Sequence, residues 1–120
     1  MQYTLMFYMD QGEFAARTDP KKKDAFWGAF RPYLKAIKDA GIFVGGAGLQ
    51  PPDMATTVRR REGERLVQDG PYSDSKEQLG GFVVIDVPDL DTALDWAARY
   101  PAGPAGLVEV RPNMSASNAE

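Results

Sequence analysis

The chain has 120 residues, 43% of them hydrophobic and 26% charged, with a net charge of −3. Those values fit one soluble domain with a single core, and the acidic balance argues against a nucleic-acid surface. There is no Cys and no His, which removes disulfides, thiolate chemistry, the usual general base and the commonest metal ligand. Only hard, oxygen-bound ions remain, and no run resembles a calcium loop, so neither a metal nor a cofactor is expected. No apolar run approaches a membrane span, and Met1-Gln2-Tyr3-Thr4 does not open a signal peptide. The expected location is the cytoplasm, away from membranes.

Residues 3–9 read as a strand that is apolar on both parities, with Tyr3, Leu5, Phe7 and Met9 on one face and Met6 and Tyr8 on the other. Such a strand is covered on both sides. Asp10-Gln11-Gly12 is expected to end it. Residues 21–40 carry Phe26, Phe30, Tyr33, Leu34, Ile37 and Ala40 on one helical stripe, with Asp19-Pro20 as the start and Gly41 as the stop. Pro32 inside that helix predicts a kink. A second strand begins at Ile42-Phe43-Val44. It runs into Gly45-Gly46-Ala47-Gly48, which lacks the third glycine and the following helix of a dinucleotide loop.

Thr56–Arg61 and Glu64–Gln68 flank Glu62-Gly63 as a hairpin in which Arg61 faces Glu64 and Val58 faces Val67. Residues 82–87 form another strand with two apolar faces. A second helix starts at Asp89 as N-cap, with Leu90, Ala93, Leu94 and Ala97 as its buried stripe. Residues 106–111 are the last strand, and residues 113–120 read as a frayed tail. The order β-α-β, hairpin, β-α-β predicts an α+β, ferredoxin-like domain over residues 1–112, with an antiparallel sheet and two helices on one face. Those helices cover one face only. A second copy of the chain is the economical cover for the other, so a homodimer with sheets face to face is expected.

The stretch from Asp69 to Phe82 packs turn chemistry, ionisable side chains and a glycine pair between two apolar runs. Asp69-Gly70-Pro71-Tyr72 resembles the Asp-Gly-Pro-Phe signature of the YCII-related, or DGPF, family, with Tyr72 in the usual Phe position. The likeness continues through Lys76-Glu77-Gln78-Leu79-Gly80-Gly81-Phe82, Ala93-Leu94-Asp95-Trp96-Ala97 and Val108-Glu109-Val110-Arg111-Pro112, and spans roughly residues 1–112. The resemblance implies a dimeric α/β barrel of ferredoxin-like subunits. It implies little about activity. Some relatives carry a His-Asp pair proposed as catalytic, which this His-free chain cannot supply, and some are fused or adjacent to extracytoplasmic-function sigma factors.

Each candidate site residue has two readings. Asp69 is a base at a pocket rim, or an Asp whose side chain bonds the backbone of its own turn. Lys76 and Glu77 hold an anion and move a proton, or form a solvated pair that shapes the loop. Gly80 and Gly81 offer N–H groups to a ligand, or mark a bulge. Tyr72 is a ligand-binding candidate through its place in the signature. Arg59 is the pocket candidate of the basic run 59–61, which otherwise reads as a solvated hairpin. Tyr8 lines an inter-sheet cavity, or is plain interface.

The expected function is a homodimer with a pocket for a small organic molecule, an anion being one option, between the sheets or at the edge of the Asp69–Gly81 loop. Were it an enzyme, the reaction would be cofactor-free proton transfer, with Asp69 or Glu77 as base and Lys76 as electrostatic stabiliser. The rival reading is a non-catalytic protein-interaction module linked to transcriptional regulation.

Overall fold

Strand β1 (Gln2–Met9) lies in the middle of a four-stranded antiparallel sheet, in a computed structural model that describes residues 1–101, 103 and 106–115. Its neighbours are β5 (Gln78–Asp86) and β6 (Leu107–Pro112), and β2 (Phe43–Gly48) pairs with the outer side of β5. The order β2-β5-β1-β6 is that of the expected ferredoxin-like fold. Strands β3 (Thr56–Arg61) and β4 (Glu64–Asp69) form the separate hairpin. Val58 pairs with Val67 and Arg61 with Glu64 across Glu62-Gly63. Both turn residues have positive φ, 52° and 82°, which is type I′ geometry and suits the twist of the ribbon.

Helix α1 (Gln11–Ala16) starts where the sequence is expected only to end the first strand. Asp10 caps it by accepting the Glu13 N–H at 2.9 Å. Helix α2 (Lys23–Asp39) runs unbroken through Pro32, which lies on its exposed side. It starts three residues after Pro20, because Asp19 first closes a turn by accepting the Lys21 N–H at 2.7 Å. Gly41, at φ 75°, ends it. Helix α3 (Leu90–Ala98) begins at Asp89, whose carboxylate accepts from the Thr92 N–H and hydroxyl.

The core lies between the sheet and the helices. Leu5, Ile37, Ile85 and Ala93 are fully buried in it, with Phe7 and Tyr100 stacked at 4.3 Å between ring centroids. The stripe expected on α3 is only half right. Ala93 is buried, but Leu90 and Leu94 are each 45% exposed, since α3 rests on β6 through its 93/97 edge. On α2, Ala40 of the expected stripe is exposed as well. Asn113 is tied to the sheet by its N–H to the Gln2 carbonyl at 2.9 Å, while the end of the expected tail, 116–120, falls outside the described residues.

Met6, Tyr8, Phe82 and Val84 point to the opposite face and are only partly buried. Arg111 and Glu109 pair there at 2.9 Å, opposite Thr4 and Met6. Among the described residues no helix is long and apolar enough to cross a membrane.

Candidate functional site

The site begins with glycines. On the helix-facing side of the sheet, register places Gly48 beside Gly81 and Phe7, and Gly46 beside Val83 and Leu5. Where β2 runs beneath α2, two helix-facing positions therefore carry no side chain. Space is left between the aromatic face of α2 and the floor of β2 and β5. A cavity of about 330 Å³ occupies it, walled by Phe26, Trp27, Phe30 and Leu34 of α2 and by Phe43 of β2. That is within the range of small-ligand sites, and the mostly apolar lining with few polar groups is their usual character.

The glycines differ in why they are glycines. A Cβ on Gly46 would stand 2.4 Å from the Phe82 carbonyl, and one on Gly80 would stand 2.6 Å from Met9 Sδ. At Gly46 the neighbour is backbone, which cannot yield, so packing demands glycine there; at Gly80 it is the flexible Met9 side chain. Gly80 is also the unpaired residue of a bulge, since Phe7 pairs with Gly81 and Tyr8 with Leu79. At Gly48 a Cβ would meet nothing within 4 Å, so that position opens space.

Two cations reach the cavity wall, Arg17 and Lys38, and no carboxylate is among its lining residues. Arg17 sits just after α1. Trp27 Nε1 donates to its carbonyl at 2.9 Å, which fixes the turn between α1 and α2. The guanidinium donates to the Gly80 carbonyl at 3.3 Å and lies 4.9 Å from the Phe14 ring centroid. Burial pulls the Arg17 pKa below its usual value, with Tyr100 pushing the other way. Lys38, in the last turn of α2, is exposed and holds its ammonium 5.0 Å from the Phe43 ring.

The residues singled out from sequence do not converge. Gly80 and Gly81 line the aromatic cavity. Lys76 lines a separate, more open depression of about 430 Å³ with Gln78, Thr18 and Asp53; buried Met9 borders both spaces. Arg59 and Tyr72 meet each other instead, the guanidinium 5.0 Å over a ring that is 77% exposed. Tyr8 lies on the opposite face of the sheet.

Asp69 closes β4 and is exposed; Glu77 is half-buried. Neither lines these cavities. The turn after Asp69 is held by backbone and by Thr57. Gly70 N–H donates to the Ala55 carbonyl and Thr57 Oγ1 to the Gly70 carbonyl, both at 2.7 Å. The signature loop is shaped by Gln78, whose amide donates to the Ser73 and Ser75 carbonyls at 2.7 and 2.9 Å, and by Ser75, which donates to the Glu77 carbonyl. Among the described residues no cluster of three acidic side chains could hold a metal ion.

Sequence reasoning missed Arg17, Trp27 and Gly48. Arg17 lies in a turn with no periodic pattern. Gly48 was legible only as part of a glycine-rich run, because its meaning depends on what α2 lays over it.

Comparison with known proteins agrees with the family resemblance read from the sequence. The chain is 37% identical over 117 residues to an uncharacterised protein of Rhizobium meliloti (strain 1021), covering 93% of this chain and 91% of that one. A family model described as the YCII-related domain matches residues 1–115. The chain belongs to the YCII-related family.

Proposed function

We propose that the chain is a homodimer that binds a small organic molecule in the cavity beneath α2. The observation that carries the binding reading is the glycine-floored space itself. Small-ligand sites are clefts of roughly this size with a mostly apolar lining and a few polar groups, and here a cleft of about 330 Å³ lies under four aromatic and aliphatic side chains of one helix. Binding is the activity this geometry supports. Proton transfer within the cavity would call for a base, and its lining holds no carboxylate. Asp69 and Glu77 therefore carry no catalytic role in this proposal.

The test uses 2-naphthamide, a neutral bicyclic probe of suitable size, followed by calorimetric titration. Wild-type protein is expected to bind it. Gly48→Val, which adds a side chain where nothing lies within 4 Å, should abolish binding without lowering Tm. Equal binding by the variant, or no binding to the wild type of either this amide or its parent acid, 2-naphthoate, overturns the reading.

The rival reading, an interaction module tied to transcription, draws support from the hairpin. Val58 and Val67 face the same side of it and are 60% and 58% exposed, an apolar patch available to a protein partner. A cavity that takes no probe would shift the weight there.

A further inference from the structure

The two cations at the cavity are not equivalent. Lys38 has a sufficient structural reason to be where it is. It offsets the negative end of the α2 dipole, packs against Phe43, and keeps its ammonium in water. Arg17 has less. It is half-buried, and among the described residues its guanidinium makes one hydrogen bond, to the Gly80 carbonyl, long at 3.3 Å. A guanidinium carries five N–H donors. Among the described residues no carboxylate lies within 4.0 Å of it, although Glu13 stands one helical turn away in sequence. The contact with Phe14 offsets part of its desolvation, but a face-on ring accepts no in-plane hydrogen bond. The planar fork is thus set into the wall of an aromatic cavity with donors to spare and, among the described residues, no anion to take them.

The shape of the cavity adds a direction. Its α2 wall runs from Phe26 to Lys38, twelve residues and so about 18 Å of helix. Arg17 is tied to the Trp27 end through the indole N–H, and Lys38 stands at the other. From this geometry we infer that the cavity selects an aromatic carboxylate, its acid group paired with the Arg17 guanidinium and its ring lying along Trp27, Phe30 and Leu34. Lys38 at the far, exposed end contributes only screened attraction. A carboxylate matches the fork in a way that a neutral amide cannot, since charge-assisted, two-point pairing is roughly twice as strong as a neutral bond. This inference rests on the cavity being a binding site.

The decisive comparison is 2-naphthoate against 2-naphthamide, two probes that share a ring system and differ in charge. Wild-type protein should bind the acid at least about tenfold more tightly than the amide. Arg17→Gln should erase that preference while still binding the amide, if more weakly, which also shows that the variant is folded. Arg17→Lys, which keeps the charge but loses the planar fork, should retain only part of the preference. Lys38→Gln should leave it nearly intact. Equal affinity of wild-type protein for acid and amide overturns the inference while leaving the cavity reading in place, as does a preference that survives Arg17→Gln. Failure of both probes to bind overturns the cavity reading, and this inference with it.

Discussion

Glu13 shows how much the first turn of α1 asks of one side chain. Its backbone N–H satisfies the Asp10 cap, while its carboxyl is folded inward beside Gly103 with Oε1 buried and, among the described residues, unpartnered. Burial pushes its pKa above the ordinary 4.5 and the Asp10 charge adds to that, while the backbone N–H groups of Asp10 and Gly103 pull it back. The sign of the consequence follows from proton binding. A carboxyl whose folded pKa is raised binds its proton more tightly in the native state, so ionising it costs stability as pH rises through the window above 4.5. Glu13→Gln keeps a side chain suited to the third position of a capping box and removes the charge. The variant should melt above the wild type at pH 8 and converge with it below pH 4.5. A difference in Tm that stays constant from pH 4 to pH 8 would show that the charge is not the cause. Tyr100 reports the same crowded corner. Burial first, and the Glu13 charge second, push its hydroxyl up to about 12.

At the scale of elements, the hairpin is where local chemistry decides most. Beyond its own ladder, it is anchored near its base by the bonds around Gly70, and an isolated two-stranded ribbon is marginal in water. Gly63 holds φ 82° at the turn, a region that costs an L-residue on the order of 1 kcal/mol. Gly63→Ala should therefore speed amide exchange in β3 and β4 roughly fivefold and leave β1 and β5 unchanged. A matching rise across the central strands would mean that the hairpin unfolds only with the whole domain. The same turn shows what is legible without coordinates. Glu62-Gly63 between two β-prone runs fixes loop length, and loop length fixes register, so the Val58–Val67 pairing could be read directly. The strands and α2 were legible because their signals are also local: short apolar runs bounded by turn residues for the central strands, and a stripe of period 3.6 for α2. Helix α1 was not, although Asp10 and Glu13 stand at capping-box spacing ahead of Phe14. Gly12 spoke for a turn, and six residues are too few for a stripe. Leu90 and Leu94 were misplaced because a stripe says which residues share a face, not how far a short helix tilts its edge off the sheet. The cavity was the least legible feature. Gly48 and Arg17 are 31 residues apart, and only the β2–β5 register and the α2 crossing bring both to one space.

For the whole molecule, the governing fact is a two-layer fold whose second sheet face carries four half-buried apolar side chains beside the Arg111–Glu109 pair. The chain measures 47 × 47 × 19 Å and has a radius of gyration of 16.3 Å, against about 13.6 Å expected for a compact chain of this length. Its thin dimension is one sheet and one layer of helices. Met6, Tyr8, Phe82 and Val84 stand on the face where, among the described residues, no helix lies. Burying such side chains is worth about 25 cal/mol for each Å² removed from water, which would drive the proposed dimer to close a second sheet over the first. A two-fold axis would set the same residues against each other and leave the cavity beneath α2, on the other face, open to ligand in both copies. The chain should sediment at twice its own mass at micromolar concentration, and its Tm should rise with protein concentration, as a linked dimer requires. Val84→Glu places a charge at the centre of that face, where the single chain can still hydrate it but a paired sheet cannot. The variant should sediment as a monomer with a concentration-independent Tm and should still bind 2-naphthamide, because Val84 does not line the cavity. A wild-type monomer would remove the reason offered here for the apolar face. A monomeric variant that has also lost the probe would show instead that the cavity depends on the partner.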